Sequence, residues 1–124
     1  MRLLLDTHVL LWWLDDRPMS VGARTAIANP INDIFVSAAT AWEMSIKTSL
    51  GKLRAPDDLA AQLEISGFRS LPISIAHALV AGALPRLHHD PFDRMLVAQA
   101  LLENLTVVTR DSSFAGYAVE LVDA

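Results

Sequence analysis

The sequence predicts an α/β fold: a central parallel sheet of about five strands with helices on both faces. Three observations carry that prediction. The candidate strands "RLLL" (2–5), "DIFVS" (33–37) and "LTVVTRD" (105–111) are dominated by continuous apolar runs rather than by alternation, as expected of strands covered on both sides. Segments with helical start and stop signals separate them. The chain has 124 residues, 52% apolar and only 19% charged, which bounds it to one domain, 1–124, with a real core.

Each element has a local reason. After "RLLL", the helix "THVLLWWLDD" begins at once and is ended by Pro18. In "MSVGARTAIANP", Ser20 is a cap for a short helix that stops before Pro30. "DIFVS" is the second strand, and Ser37 caps the helix "SAATAWEMSIKTSLGK", which closes near Gly51. "APDDLAAQLEISG" is a further helix, with Pro56 near its start and Gly67 at its end. "FRSLPIS" is a short third strand. Two more helices follow, "SIAHALVAGALP" and "DPFDRMLVAQALLEN", then the strand 105–111 and a fifth in "YAVELVD".

Composition excludes several classes. Without cysteine there is no disulfide framework and no thiolate metal site, which fits a reducing cytosol. The N-terminal "MRLLLDTHVLLWWLDD" resembles a signal peptide only briefly, because Asp6 and His8 interrupt its apolar core and no small-residue cleavage site follows. No apolar stretch reaches membrane-spanning length, so a cytoplasmic protein is expected, with no membrane partner. A net charge of −4 does not mark a nucleic-acid binder, although charge can be arranged locally.

The acids are more informative. In open parallel sheets, sites form at the carboxyl ends of strands. Asp6 ends the first strand there, and Asp111 lies just past the fourth. Asp90 precedes Pro91 and is the natural N-cap of its helix. Asp93 then occupies the third helical position, heading an apolar stripe of Leu96, Val97, Ala100 and Leu101. A capping box at that position prefers Glu or Gln. Glu43 likewise shares a face with Ala39, Ile46 and Leu50. Burying an unpaired charge costs several kcal/mol, on the order of a small domain's whole stability. A hard divalent cation such as Mg²⁺ or Mn²⁺ gives these oxygen ligands a shared reason. Such a cluster suits metal-dependent phosphodiester hydrolysis.

"LLLDTHVLLWWL", "SAATAWEMSIK", "HHDPFDRMLVAQAL" and "LTVVTRDSSF" resemble, in order, the four signature segments of PIN-domain ribonucleases, and most nearly the VapC-type toxins of bacterial toxin–antitoxin pairs. The resemblance covers most of the chain. It implies an Mg²⁺-dependent endoribonuclease whose acids match Asp6, Glu43, Asp93 and Asp111, with Asp6 and Asp93 as principal metal ligands. It assigns Glu43 to completing the site or positioning water, and Asp111 to ligation through water. It makes Thr7 and Thr109 small polar neighbours of the acids. It also implies an RNA substrate, a homodimer, and an antitoxin that inserts a C-terminal segment into the active-site groove.

Blander roles stand beside these. Asp6 could only cap its helix, and Asp111 could only open the turn in "RDSS". Adjacent His88 and His89 point apart, which argues against joint metal ligation; they are expected to be ordinary loop histidines, although one could contact RNA. His77 is expected to be structural, while His8 packs or hydrogen-bonds near Asp6. Trp12, Trp13 and Trp42 could stack on bases, but Trp12 and Trp13 lie in an apolar helix and better suit core or interface packing. Lys47, Lys52 and Arg54 form a basic cluster that either follows phosphates or is solvated surface. Arg94 and Arg110 flank site acids and are expected to contact phosphate. Two rival functions remain at this point: a haloacid-dehalogenase-like phosphatase with Asp6 as nucleophile, and a module that binds RNA or an antitoxin without cutting. The phosphatase motif has a second Asp two residues on, where this chain has His8.

Overall fold

The computed structural model describes residues 1–124. The chain runs β1 (Arg2–Leu5), α1 (Thr7–Leu14), α2 (Val21–Ala28), β2 (Asp33–Ser37), α3 (Ala38–Ser49), α4 (Leu59–Ile65), β3 (Arg69–Leu71), α5 (Ile75–Ala83), α6 (Pro91–Glu103), β4 (Thr106–Thr109) and β5 (Leu121–Asp123). A short 3₁₀ turn, Ser112–Gly116, precedes β5. All neighbouring strands are parallel, in the order β3-β2-β1-β4-β5. This is the α/β architecture that the continuous apolar strands predict.

β1 is the axis of the sheet. Its Leu4 sits opposite Phe35 of β2 and Val107 of β4. Leu3, Leu4 and Leu5 are fully buried. Successive strand side chains alternate between faces. Leu3, Leu5 and Val108 join one apolar cluster with Val9, Leu10, Ile27 and Met44, while Leu4 and Val107 join a second with Leu96, Val97 and Phe114. Helices α1, α2 and α3 thus cover one face, and α6 covers the other. Each buried leucine contributes roughly 1.5–3 kcal/mol from burial alone.

Several helix ends are set by the residues that the sequence marks. Ser20 accepts from the Ala23 N–H, Ser37 from Ala39, and Asp90 from both Phe92 and Asp93. Gly51 and Gly67 take positive φ just past α3 and α4, where a side chain would be strained. His77 is structural: with Ser74 it closes a reciprocal capping box at the start of α5, and its Nε2 lies 2.8 Å from Glu103 of α6.

The boundaries differ in places. α4 starts at Leu59, capped by Asp58, so Pro56 lies in the preceding loop rather than near the first turn. β4 and β5 are shorter than "LTVVTRD" and "YAVELVD", and a 3₁₀ turn, Ser112–Gly116, capped by Asp111, lies between those two segments. Two stripe residues are not core: Leu50 is 62% exposed and Leu101 is 39% exposed. Leu50 is already the residue that follows α3, and Leu101 follows the buried run Leu96–Ala100 of α6.

The double acceptance by Asp90 allows a direct test. Asp90→Ala should lower the unfolding free energy by about 1 kcal/mol, read from the urea midpoint, because two N-terminal N–H groups lose their acceptor. An unchanged midpoint would show that the cap contributes nothing.

Candidate functional site

The strand order reverses between β1 and β4: β2 and β3 build outward on one side of β1, and β4 and β5 on the other. At such a switch point the connections diverge and leave a crevice beyond the strand ends. Asp6 is the first residue after β1, and its N–H donates to Val108 of β4 at 3.0 Å. Asp111 lies two residues past β4.

Asp6 is buried, and both of its carboxylate oxygens are engaged. Oδ1 accepts the His8 backbone N–H at 3.1 Å, and Oδ2 accepts the Thr109 hydroxyl at 2.6 Å. It therefore caps α1 and tethers two strand ends together. Burial is the main cause that pushes its carboxyl above the usual range; the bonds from Thr109 and His8 oppose the shift.

Glu43, on α3, is buried too. Its Oε1 accepts from the Thr7 hydroxyl at 2.7 Å, and its Oε2 pairs with the Lys47 ammonium one turn later. Glu43 is therefore not the unpaired charge that its stripe suggests. Lys47 leaves the basic cluster expected with Lys52 and Arg54, because its ammonium is committed to Glu43. Its hydrogen bond to Glu43 raises its pKa, so it stays charged at neutral pH.

Asp93 is largely buried at the start of α6. Its Oδ2 lies 2.8 Å from Nε2 of His88. Burial first, and then the charges of Asp90, Asp6 and Glu43, push its carboxyl up to about 7. Asp111 is more exposed, and its Oδ1 accepts both the Ser113 N–H and hydroxyl, which hold its carboxyl below the usual range. Its Oδ2 is 3.7 Å from His88 Nε2. Asp111 thus does open a turn, and its other oxygen faces the cluster.

The sequence reading missed His88. Its backbone N–H donates to the Tyr117 hydroxyl at 3.0 Å, its ring meets Phe114 edge-on, and its Nδ1 faces the Asp90 N–H at 3.4 Å. With Nδ1 as acceptor, Nε2 carries the proton and points between Asp93 and Asp111. One ligand atom from each of these three side chains falls within a 4.8 Å set. The available signal was a histidine two residues before an N-cap, placed to fold back over the first helical turn.

Two expected phosphate contacts do not form. Arg94 donates to the carbonyls of Ala81 and Leu84 at the end of α5, and to those of Pro85 and His88 in the loop that follows. Arg110 donates to the Ala124 oxygen and stacks over Trp12 at 4.2 Å. Among the aromatics, Trp13 packs against Phe68, while Trp42 is exposed and meets Phe92 edge-on.

The donor set fits a hard divalent cation. Carboxylates from four regions of the chain crowd one crevice, and their repulsion adds to burial in raising the pKa of Asp93. Lys47 and His88 are the nearest counter-groups, and oxygen donors suit Mg²⁺ or Mn²⁺. The largest cavity, about 690 Å³, lies elsewhere, between α3, α4 and β3, with an apolar lining that includes Leu59, Leu63 and Phe68. Its lining holds one acid, Glu64, and none of the clustered ones, so it does not compete as a centre of this chemistry.

The family model described as "PIN domain" matches residues 3–120. Comparison with curated proteins finds no significant match. Among solved structures, the chain is similar to one from VapBC2 of Rickettsia felis bound to promoter DNA, at 19% identity and TM-score 0.74, over 100% of this chain and 99% of that one. A DNA-bound VapBC from Salmonella typhimurium matches at 21% identity and TM-score 0.70, over 99% and 98%. A toxin–antitoxin complex from Klebsiella pneumoniae matches at 25% identity and TM-score 0.65, over 96% and 94%.

Proposed function

This chain belongs to the PIN-domain family, and from that premise we propose that it is a metal-dependent endoribonuclease, the toxin of a VapC-type toxin–antitoxin pair. The observation that carries the reading is the convergence of Asp6, Glu43, Asp93 and Asp111 on the crevice at the β1/β4 switch point. Asp6 and Asp93 would hold the metal, with Glu43 and Asp111 completing the acidic set. A bound Mg²⁺, or Mn²⁺, supplies positive charge against the scissile phosphate and acidifies the attacking water.

The protein's own groups do the positioning. Thr109 and the His8 N–H fix both oxygens of Asp6, so its orientation is set before any substrate arrives. Thr7 and Lys47 fix both oxygens of Glu43, so that its carboxylate is positioned to complete the site or orient water. His88 orients Asp93 through Nε2 and lies close to Asp111. In the overall hydrolysis, water adds to phosphorus, one P–O ester bond breaks, and the departing oxygen takes up a proton.

His88 should therefore matter without being a ligand. His88→Ala should weaken Mn²⁺ binding roughly 10–100-fold at pH 7, as loss of an outer partner of a ligand does. His88→Gln, which keeps an N–H donor, should recover part of that affinity. Calorimetric titration reads both, and equal affinity in all three chains would remove His88 from the site.

Asp6 as a phosphatase nucleophile is not supported, because the position two residues on, where that motif carries a second Asp, is His8. The non-cutting module has none of the missing acids that would mark it. An antitoxin partner is supported by the similarity to chains from VapBC complexes. A homodimer is supported by exposed Ile75 and Leu79, one turn apart on α5, and by exposed Leu101 and Leu102 on α6, the helix packed against it. No helix is long and apolar enough to cross a membrane; a cytoplasmic location is part of the proposal. Incubating the purified protein with total RNA in Mg²⁺, Mn²⁺ or EDTA tests the whole reading: cleavage should appear with either metal and stop with EDTA.

A further inference from the structure

The chain carries ten Lys and Arg residues. Seven have partners within the protein: Arg2 with the Glu103 carbonyl, Arg17 with Asp15, Arg24 with the Arg17 carbonyl, Lys47 with Glu43, Arg69 with Asp33, and Arg94 and Arg110 with the carbonyls described above. Lys52, Arg54 and Arg86 have none. Two of these three, Lys52 and Arg54, line one cleft of about 550 Å³ with His8, Trp12 and Arg17, whose only acid is Asp15. That cleft reaches the acids through His8, whose Nδ1 is 3.9 Å from Asp6 Oδ1. Arg86, the third, lines a smaller pocket with His88 and His89, which adjoins the acids through Asp93.

A crevice of carboxylates repels a polyanion, and the net charge of −4 offers no compensating field. An anionic strand can be held there only if cations at the margin engage the phosphates that flank the reacting one. Lys52 and Arg54 are free to do so, and both are exposed on the loop between α3 and α4. The wall opposite their charge is aromatic. His8 is 65% exposed, and Trp12 stands 6.3 Å from it, ring centroid to ring centroid, stiffened by the Arg110 guanidinium on its face. Flat rings beside cations suit unpaired bases on a single strand, whose stacking faces are accessible.

We propose that the cleft of His8, Trp12, Lys52 and Arg54 binds the backbone and bases of single-stranded RNA flanking the bond to be cut. Arg86 receives the strand on the side of His88. This rests on the nuclease reading, so the test separates binding from cutting. Binding of a fluorescein-labelled twelve-nucleotide mixed-sequence RNA is followed by anisotropy, with cleavage silenced by Asp93→Asn, in that chain and in one also carrying Lys52→Gln and Arg54→Gln. The extra pair should weaken binding about tenfold and reduce the slope of log affinity against log salt by about 1.4, at about 0.7 per phosphate contact on a single strand. In the cutting chain the same pair should raise KM by a similar factor. Unchanged affinity and salt slope would overturn the proposal, whether or not the chain cuts RNA. Loss of binding in a chain that never cuts would uphold the cleft and sink the nuclease reading instead. If the pair abolishes capture of a poly-glutamate peptide while RNA binding stays put, the cleft takes an acidic protein partner and the proposal fails.

Discussion

Asp93→Asn should abolish RNA cleavage, by roughly a thousandfold or more, while the protein stays folded. Asparagine keeps the volume of the side chain and an oxygen that accepts from His88, so the start of α6 is undisturbed. What disappears is a negative charge that the proposed mechanism needs for its cation, and removing one preorganised charge at a reacting phosphate costs on the order of 10²–10³ before any loss of metal is counted. The same substitution makes a second, opposite prediction about stability. In the metal-free protein Asp93 titrates at about 7 rather than 3.8. Its raised folded-state pKa contributes stability that is fully present below the unfolded value and is lost as pH rises through 7. Asp93→Asn removes that loss, so at pH 8 and without metal the variant should be the more stable chain, by on the order of a few kcal/mol. Urea unfolding and a gel assay on the same preparation read both effects. Undiminished cleavage, or cleavage lost together with the fold, would sink the assignment.

Mn²⁺ affinity should fall about 30-fold between pH 8 and pH 5.5. Below about 7 the cation must displace the proton of Asp93, so affinity drops close to tenfold per pH unit through that range. Asp6, also raised by burial, adds to the loss at the acid end. Two neighbours stay fixed across the window. Asp111 remains ionised because Ser113 holds its carboxyl low, and Lys47 remains protonated beside Glu43. Calorimetry at pH 6 in buffers of different ionisation enthalpy should register about one proton released per metal bound, and Asp93→Asn should flatten the profile. An affinity that does not change from pH 5.5 to 8 would mean that Asp93 is not a ligand.

Much of this molecule is legible residue by residue. The Asp90-Pro91 start of α6 needs only the local preference of an N-cap and of proline at the first helical position, and the structure has both. β1 reads as doubly covered from "RLLL" alone. Period and capping also put Asp93 at the head of a stripe and Glu43 on the buried side of α3. The stripes themselves could not say where they end. Leu50 and Leu101 have the right spacing but are exposed.

The partners of charged groups were not legible. Arg94 and Arg110 adjoin site acids in sequence, yet their guanidinium groups turn to unsatisfied carbonyls, because a helix end and a chain terminus come within their reach only after folding. Lys47 reads as surface charge until Glu43, one turn earlier, is found buried beside it. His88 and His89 are equivalent as letters, and the contact with Tyr117 and the pairing with Asp93 separate them.

The sequence by itself determined the five parallel strands, the starts of α2, α3 and α6 and the acidic side chains available, since caps, turns and apolar runs act over a few residues. Tertiary structure alone decided which acids share a crevice and what holds each one. Thr109 reaches Asp6 across 103 positions of sequence, because β4 pairs in parallel with β1 on the side of β1 away from β2. No local preference encodes that approach; it follows from the order of the strands in the sheet.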